Sequence, residues 1–511
     1  MQFTLDFDEY DRKLLDRAPA GVFVCNRLLP GVDERILLQL LAERAGGFKI
    51  MHPYMTPPPK GLRPHLFSEP KKPLADRLLP SNFAKKLAAR VRRGESVGLV
   101  LDFSENPLGN LEKNLFRPEI IRQLRKAGVP ITPIHLSAEH LPGGLLRRIF
   151  PMLPFSPGQP VRVNVRVGSP ILPDDVAAFP RSGLFGKFLQ AKIFSLGSPF
   201  DVNPELFTDK KTDDRQPLAE PTDPALVEAD IAALRPEQKL CSRGQFDVFV
   251  APFLALPNAM FEIARLRELT FRAAGEGTGK PRDMDEYDLY YQQLIIWDRD
   301  ARRIVGGYRV GEGDLIFRRF GMNGFYISSL FKIKPGFFPV LEQAVELGRS
   351  YVVPDYQKHR LPLFLLWKGI LHFLLAHPQY RFIQGPVSIS KYYSEVSKSL
   401  IVEFVRQYFF DEKLARWVKP RKPFRFKSRD VDAKLLVEAL KGQFENLENF
   451  VEDIEPAHFK VPVLFRQYLK QNARFIAFNV DPNFSDCLDG LMILDIQNLP
   501  ASTLEALSQE K

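Results

Sequence analysis

The sequence predicts a two-domain α/β protein, and three observations carry that prediction. At 511 residues the chain exceeds what one ordinary core accommodates, so two cores, each able to fold alone, are expected. Short apolar runs alternate with helical stretches along its length. Between Asp201 and Lys239 the stretch DVNPELFTDKKTDDRQPLAEPTDPALVEADIAALRPEQK is rich in Pro and Asp and poor in large apolar side chains, which reads as a linker. The expected division is a first α/β domain over 1–200, a linker over 201–242 and a second domain over 243–511.

In the first domain GVFVC reads as a strand, DERILLQLLAER as a helix, SVGLVLDF as a strand, EIIRQLRKAG as a helix, and ITPIHL and VRVNVRVGSPI as strands. In the second, NAMFEIARLRELTFRAA places its apolar residues at helical spacing, and QQLIIWD and IVGGYRV read as strands joined by the turn-like DRDARR. AVELGRSYVV follows as a strand, LPLFLLWKGILHFLLAH as a buried helix and YRFIQGPVSIS as a strand; after further helices, ARFIAFNV and GLMILDI close as strands. No internal repeat or low-complexity tract is visible.

Composition is that of a soluble globular protein, 45% apolar and 26% charged, with 42 Phe, a number that suits both thick cores and the handling of acyl chains. The start, MQFTLDFDEYDRKLLDRAP, carries acids where a signal peptide carries a basic stretch. The longest apolar run, Leu361 to Ala376, is interrupted by Lys368 and His372 and is shorter than the roughly 20 residues of a bilayer span. Cys25, Cys241 and Cys487 are odd in number and far apart, which argues for a reducing compartment over a disulfide framework. Residues 1–200 hold 29 Lys/Arg against 18 Asp/Glu and the remainder 42 against 43, so the net positive charge belongs to the first domain. A second basic cluster, KLARWVKPRKPFRFKSR (Lys413 to Arg429), has eight basic residues, no acid and interleaved Trp417, Phe424 and Phe426. It suits anionic lipid headgroups, an acidic carrier protein or nucleic acid, with a solvated basic loop as the plain alternative.

Transfer of a group to an amine requires a carboxylate as base and further acids to hold the acceptor. Glu346 and Arg349 lie three apart in AVELGRSYV, and Asp285 and Asp288 three apart in the acidic turn MDEYD. Arg267 and Phe271, four apart, share a helix face, and Arg309 ends an apolar strand. Taken singly, each has a plain reading as a surface charge on a strand end, a solvated loop or a core residue.

Taken in order, the set is more specific. Arg267-x3-Phe271, DEYD, GGYRV with Arg309, ELGRS with Glu346 and Arg349, then LLWKGI, resembles acyl-homoserine-lactone synthases and especially the hemolysin-type ornithine-lipid and glycine-lipid N-acyltransferases. GPVSISKYY and FIAFNVDPNFSDCLDGLMILDI resemble the second group, and the resemblance spans roughly residues 245 to 500. It implies the GNAT fold, a mixed twisted sheet flanked by helices whose central strands splay around the pantetheine arm of a donor. No cofactor is permanently bound in such a protein; the donor is an acyl group on acyl-carrier protein, as a phosphopantetheine thioester, or on CoA. By the resemblance Glu346 is the base or amine-orienting carboxylate and Arg349 its catalytic neighbour. Asp285 and Asp288 hold the acceptor's ammonium, Arg267, Arg309 and Arg349 organise the site and neutralise carboxylate or thioester charge, and Phe271 lines the acyl side. The Q/R-x-x-G-x-G/A pyrophosphate loop of acetyl-CoA-dependent members is absent, which fits the carrier protein better than acetyl-CoA. GEGTG (Gly275 to Gly279) lacks the Lys-Ser/Thr ending of a phosphate loop and reads as a turn.

In the first domain, VFVCNRLLPGVDERILLQLL resembles the first block of glycerolipid (lysophospholipid) O-acyltransferases, in which a His is the base and an Asp orients it. Here Arg27 stands in the His place, and a guanidinium cannot act as a base; Asp33 keeps the Asp place. RRGESVGLVLDFSEN resembles that family's phosphate-binding segment, with Glu105 in the acidic place but Ser-Glu-Asn instead of Pro-Glu-Gly. The resemblance implies an acyltransferase-like domain that has lost its activity and serves as a basic membrane platform. No GxSxG or HExxH occurs, and the eight His form no ligand-spaced set, so no metal is expected.

The resulting expectation is an acyltransferase that moves a fatty or 3-hydroxy fatty acyl group from acyl-carrier protein to the amine of an amino acid such as glycine or ornithine, in membrane aminolipid biosynthesis. Its expected partners are acyl-carrier protein, the small acceptor and an anionic membrane surface, not nucleic acid, and its expected place is cytoplasmic, peripheral on the inner face of the membrane. Two alternatives stay open: a bifunctional chain that also O-acylates a lysolipid, against which Arg27 stands, and a non-catalytic lipid- or carrier-binding scaffold, against which the intact Glu346, Asp285, Asp288 and Arg349 set stands.

Overall fold

The structure, a computed structural model, describes residues 3–28, 32–44, 46–51, 62–67, 82–103, 111–138, 161–198, 216–426, 428, 431–455, 458–501 and 503. It divides into two units, one made of residues 1–203, 394–403 and 426–460, the other of 204–393, 404–425 and 461–511.

The sheet of the first unit contains β1 (Phe3–Asp6), β2 (Val22–Asn26), β3 (Phe48–Met51), β4 (Ser96–Leu101), β5 (Ile131–Ala138) and β6 (Val161–Val167), in the order β1-β6-β5-β2-β4-β3. All pairs are parallel except β5 with β6. Central β2 is buried at every position, as a parallel strand with covered faces must be, and this is why VFVCN lacks polar alternation. Phe23, Cys25, Ile134 and Val165 pack with Ile36, Leu37 and Leu41 of the Asp33–Leu41 helix into one core.

This unit is completed by sequence from far along the chain. The Phe444–Ile454 helix buries Leu447, Phe450, Val451 and Ile454. Its Asp453 accepts hydrogen bonds from the Ser169 amide at 2.6 Å and hydroxyl at 2.9 Å, and the Asp453 carbonyl accepts one from Arg166 at 2.8 Å. The expectation of a single second domain over 243–511 does not separate this segment, because an amphipathic helix does not announce which sheet it will cover.

The second unit holds β7 (Lys239–Arg243), β8 (Phe246–Pro252), β9 (Gln292–Asp298), β10 (Arg303–Glu312), β12 (Ala344–Val352), β13 (Phe382–Ile389), β15 (Arg474–Asp481) and β16 (Cys487–Asp495) in one mixed sheet. The order is β15-β16-β13-β12-β10-β9-β8-β7, and a separate ribbon joins β11 (Phe331–Ile333) to β14 (Val418–Pro420). Among its described strands only β12 and β13 run parallel. Among the described residues their pairing is confined to Ala344, Val345 and Glu346 with Phe382, Ile383 and Gln384. Beyond that rung β12 stays with β10 and β13 stays with β16, so the sheet forks at its centre.

Two sequence expectations are corrected. The part of the linker that is described, from 216 onward, belongs to the folded second unit: it forms the Pro224–Ala232 helix and β7. Its acids and prolines act as caps. Asp223 accepts from Ala225 N ahead of Pro224, and Asp230 accepts from the Asn258 and Ala259 amides at 2.6 and 2.7 Å at the start of the Ala259–Ala273 helix. Arg309 does not end its strand, which continues to Glu312. The basic Lys413–Arg425 stretch partly pairs as β14, packs Trp417 over Gly336, and keeps Lys413, Arg416, Lys419, Arg421, Lys422 and Arg425 exposed. No described helix is long and apolar enough to cross a membrane.

Candidate active site

Glu346 sits on the last rung of β12 before the fork and is 1% exposed. Its Oε2 accepts from the Tyr291 hydroxyl at 2.6 Å and its Oε1 from the Ile327 amide at 2.9 Å. Burial pushes its carboxyl up to about 7, although those two hydrogen bonds and the Arg309 charge pull the other way. A carboxylate poised there exchanges a proton at neutral pH. Registered neighbours of Glu346, Gly311 on β10 and Gln384 on β13, share its face of the sheet, as do Arg309 and Gly348 one rung further. A Cβ added at Gly348 would meet nothing within 4 Å, so this face opens onto free space directly beyond Glu346.

Beside it lies a ladder of arginines and acids. Arg267 donates to Asp288 at 2.8 Å and to Gln293 at 2.6 Å, both ends buried. Arg309 donates to Asp285 at 2.5 Å and lies 3.6 Å from Asp288. Arg349 pairs with Asp283 at 2.8 Å and Asp285 at 3.4 Å. The aromatic rings of Tyr287, Tyr291 and Tyr326 surround the Arg309 guanidinium at 5.3 to 5.4 Å, and Tyr326 and Phe484 flank that of Arg349 at 4.9 and 5.0 Å. Burial works to raise the carboxyl of Asp288, but Arg267 and Arg309 hold it down at about 2.

Backbone geometry positions these groups. Arg349 has φ +50, in the left-handed region that a side-chain-bearing residue rarely adopts. It lies where the β10–β12 register slips between the Gly307–Tyr351 and Arg309–Gly348 pairs, a bulge that turns its side chain toward Asp283 and Asp285. Asp285 caps the following 3-10 turn by accepting from Tyr287 N, while Asp288 accepts from Asp285 N, so the Asp-x-x-Asp spacing is a reciprocal cap.

A family model described as an acetyltransferase (GNAT) domain matches residues 266–367, which contain Glu346 and the whole ladder. The glycine N(alpha)-acyltransferase of Bacteroides thetaiotaomicron is 29% identical over 280 residues, covering 52% of this chain and 81% of that protein. The glycine N(alpha)-acyltransferase of Phocaeicola vulgatus is 30% identical over 267 residues, covering 48% of this chain and 78% of that protein. The chain belongs to the glycine N(alpha)-acyltransferase family. It is an N-acyltransferase of the GNAT type, acting on an acyl thioester. A solved CoA-dependent acyl-homoserine lactone synthase in complex with MTA aligns with 45% of this chain and 68% of that one at 12% identity; its TM-score of 0.22 gives the likeness no weight.

Within this acyltransferase the structure brings Glu346, Arg349, Asp285, Asp288, Arg267 and Arg309 together. Asp288 is fully engaged inside the protein, by Arg267, Gln293 and the Asp285 amide, and the two oxygens of Asp285 are taken by Arg309 and Arg349. Phe271 is buried in the core and packs edge-on at 5.2 Å against Phe484, the ring that flanks Arg349. Reasoning from sequence missed Tyr291, Tyr326, Asp283 and Gln293. Tyr291 immediately follows the DEYDLY turn, and the cluster of Tyr287, Tyr290 and Tyr291 was the available signal. It also missed Asp489 on β16, a buried carboxyl that burial pushes up to about 7 and that accepts from Ser388 at 2.7 Å.

In the first unit, Arg27 lies 3.6 Å from buried Asp33 and 3.4 Å from buried Glu34, and Asp33 accepts from the Leu28 amide at 3.2 Å. Glu105 lies outside the described residues.

Proposed function

We propose that the second unit transfers a fatty acyl group from a phosphopantetheine thioester, carried by acyl-carrier protein, to the amine of glycine, making an aminolipid precursor. The observation that carries this reading is Glu346: a fully buried carboxyl raised to about 7, braced by Tyr291, beside open space at the point where β12 and β13 part. A parted pair of strands leaves unpaired backbone amides and carbonyls along both edges, which suit the two amides of an extended pantetheine arm. Glu346 takes a proton from the amine as its nitrogen attacks the thioester carbon and hands it to the departing sulfur. The arginine ladder supplies fixed positive charge next to the developing oxyanion. Glycine is the acceptor named for both relatives.

The exposed cations from Lys413 to Arg425 suit docking on an anionic membrane surface or carrier at the cytoplasmic face. The first unit resembles an O-acyltransferase with its base replaced, and the pairing of Arg27 with Asp33 and Glu34 supports its being inactive. The deciding experiment incubates the purified chain with acyl-carrier-protein and CoA thioesters and glycine, and follows N-acylglycine by mass spectrometry. Product formed by the wild type and not by Glu346→Gln supports the reading; amide formation independent of Glu346 refutes it.

A further inference from the structure

Gln384 stands on the last rung that β12 and β13 share, registered with Glu346 on one side and Ile493 on the other. Registered partners share a face, so its side chain leaves the sheet beside that of Glu346. It is 0% exposed, and neither its Oε1 nor its Nε2 has a hydrogen-bond partner among the described residues. A glutamine amide offers two donors and an acceptor, and burying both ends unpaired is destabilising. Leucine or methionine would occupy a similar volume without that penalty. An amide kept at this rung needs a partner beyond the described residues.

The neighbouring groups indicate what that partner is. Open space lies over Gly348, two residues past Glu346 on the same face. Arg309, registered with Gly348, is 1% exposed, and its Nε and Nη2 make no hydrogen bond among the described residues. Unpaired donors and one unpaired acceptor thus share the sheet face of the Glu346 carboxyl. The reacting centre of an acyl transfer offers both complements, N–H donors on the amine and an oxygen on the thioester. A free carboxylate offers acceptors only and would leave Gln384 Oε1 unmatched.

We propose that Gln384 is a further substrate-contacting residue of the acyl transfer, its Oε1 taking an N–H of the attacking amine and its Nε2 donating to the thioester oxygen. The assignment rests on the N-acyl transfer reading above. Starting from the neutral amine, the nitrogen lone pair forms the C–N bond and the carbonyl π pair moves onto oxygen, where the Nε2–H holds it. Glu346 takes one N–H proton. As the oxygen pair re-forms the carbonyl, the C–S bond breaks and the sulfur leaves with the proton that Glu346 took.

The test compares the full-length wild type with Gln384→Leu and Gln384→Met, using acyl-carrier-protein thioesters with plain and hydroxylated chains, glycine as acceptor, and thermal unfolding as a second readout. The expected result is a fall in kcat of about 10²- to 10³-fold for both donors, as for loss of one oxyanion donor, with the glycine KM changed little. The thermal midpoint is expected to be equal or higher, because an unpaired buried amide has been replaced by an apolar group. A lowered midpoint with kcat unchanged would mark the amide as structural and overturn the assignment. A loss confined to hydroxylated donors would place the amide on the acyl chain and overturn it equally. If the wild type acylates another amine and not glycine, the acceptor reading fails, while the ratio of variant to wild type on that amine still decides the role of Gln384.

Discussion

Replacing Glu346 by Gln is expected to lower activity by orders of magnitude and, above neutral pH, to stabilise the second unit. The Glu346 carboxyl titrates at about 7 in the folded chain against 4.5 for an unperturbed glutamate. The folded state therefore holds a proton that the unfolded state has released across that window, so stability falls as pH rises from about 4.5 to about 7 and then levels off. The difference corresponds to about 3 kcal/mol lost by the wild type at pH 8, an amount that a neutral amide does not lose. Gln fits the same hydrogen bonds: its oxygen accepts from the Ile327 amide, and its NH2 donates to Tyr291, whose hydroxyl proton turns to the Gly324 carbonyl 3.4 Å away. The three tryptophans, Trp297, Trp367 and Trp417, all lie in the second unit, so denaturant unfolding followed by their fluorescence reports that unit alone. Glu346→Gln should match the wild type at pH 4.5 and exceed it by up to about 3 kcal/mol at pH 8. Its kcat should fall about 10²- to 10⁴-fold, while the wild-type rate climbs tenfold per pH unit below about 7 and then plateaus. A stability difference that does not change with pH, or a variant within tenfold of wild-type activity, would refute a buried Glu346 acting as base.

Tyr291→Phe removes a hydrogen bond that favours the charged carboxyl, so the rising limb of the rate profile should move to higher pH. Gly348→Ala should leave thermal stability unchanged or slightly raised, since its methyl meets nothing, yet lower activity by filling space meant for substrate; Gly385→Ala, whose methyl would lie 2.1 Å from the Leu347 carbonyl oxygen at the fork, should destabilise the second unit by about 1–3 kcal/mol or more. Arg267→Met leaves Asp288 buried without its closest cation and should lower stability by about 3–5 kcal/mol in denaturant titrations. Asp230→Ala strips the cap from the Ala259–Ala273 helix, with an expected loss of about 1–2 kcal/mol by the same measurement.

Most elements were legible because their signals are local. The alternating VRVNVRV run and the continuously apolar VFVCN run each announce a strand, and the spacing in NAMFEIARLRELTFRAA announces a helix. The Asp-Arg ladder was legible only as an ordered set, since nothing local distinguishes a buried Glu346 from a strand-end charge until the fork and the Tyr291 hydroxyl surround it. Long-range facts were not legible. The bulge at Arg349 follows from how two strands slip past each other, and the destination of the Phe444–Ile454 helix from where Ser169 presents an amide. The Pro/Asp-rich segment misled because composition that suits a linker also suits helix caps, as Asp223 and Asp230 demonstrate.

The patchwork make-up of the first unit has a consequence for its birth on the ribosome. When residue 203 emerges, Arg166 and the Ser169 amide are already made, but the Asp453 that receives them is about 250 residues away. At roughly 5–20 residues per second the nascent unit waits on the order of 10–50 s without its later segments. Fragments ending near residue 200 are therefore incomplete however long they are given to fold, and adding the 394–403 and 426–460 segments in trans should restore what they lack.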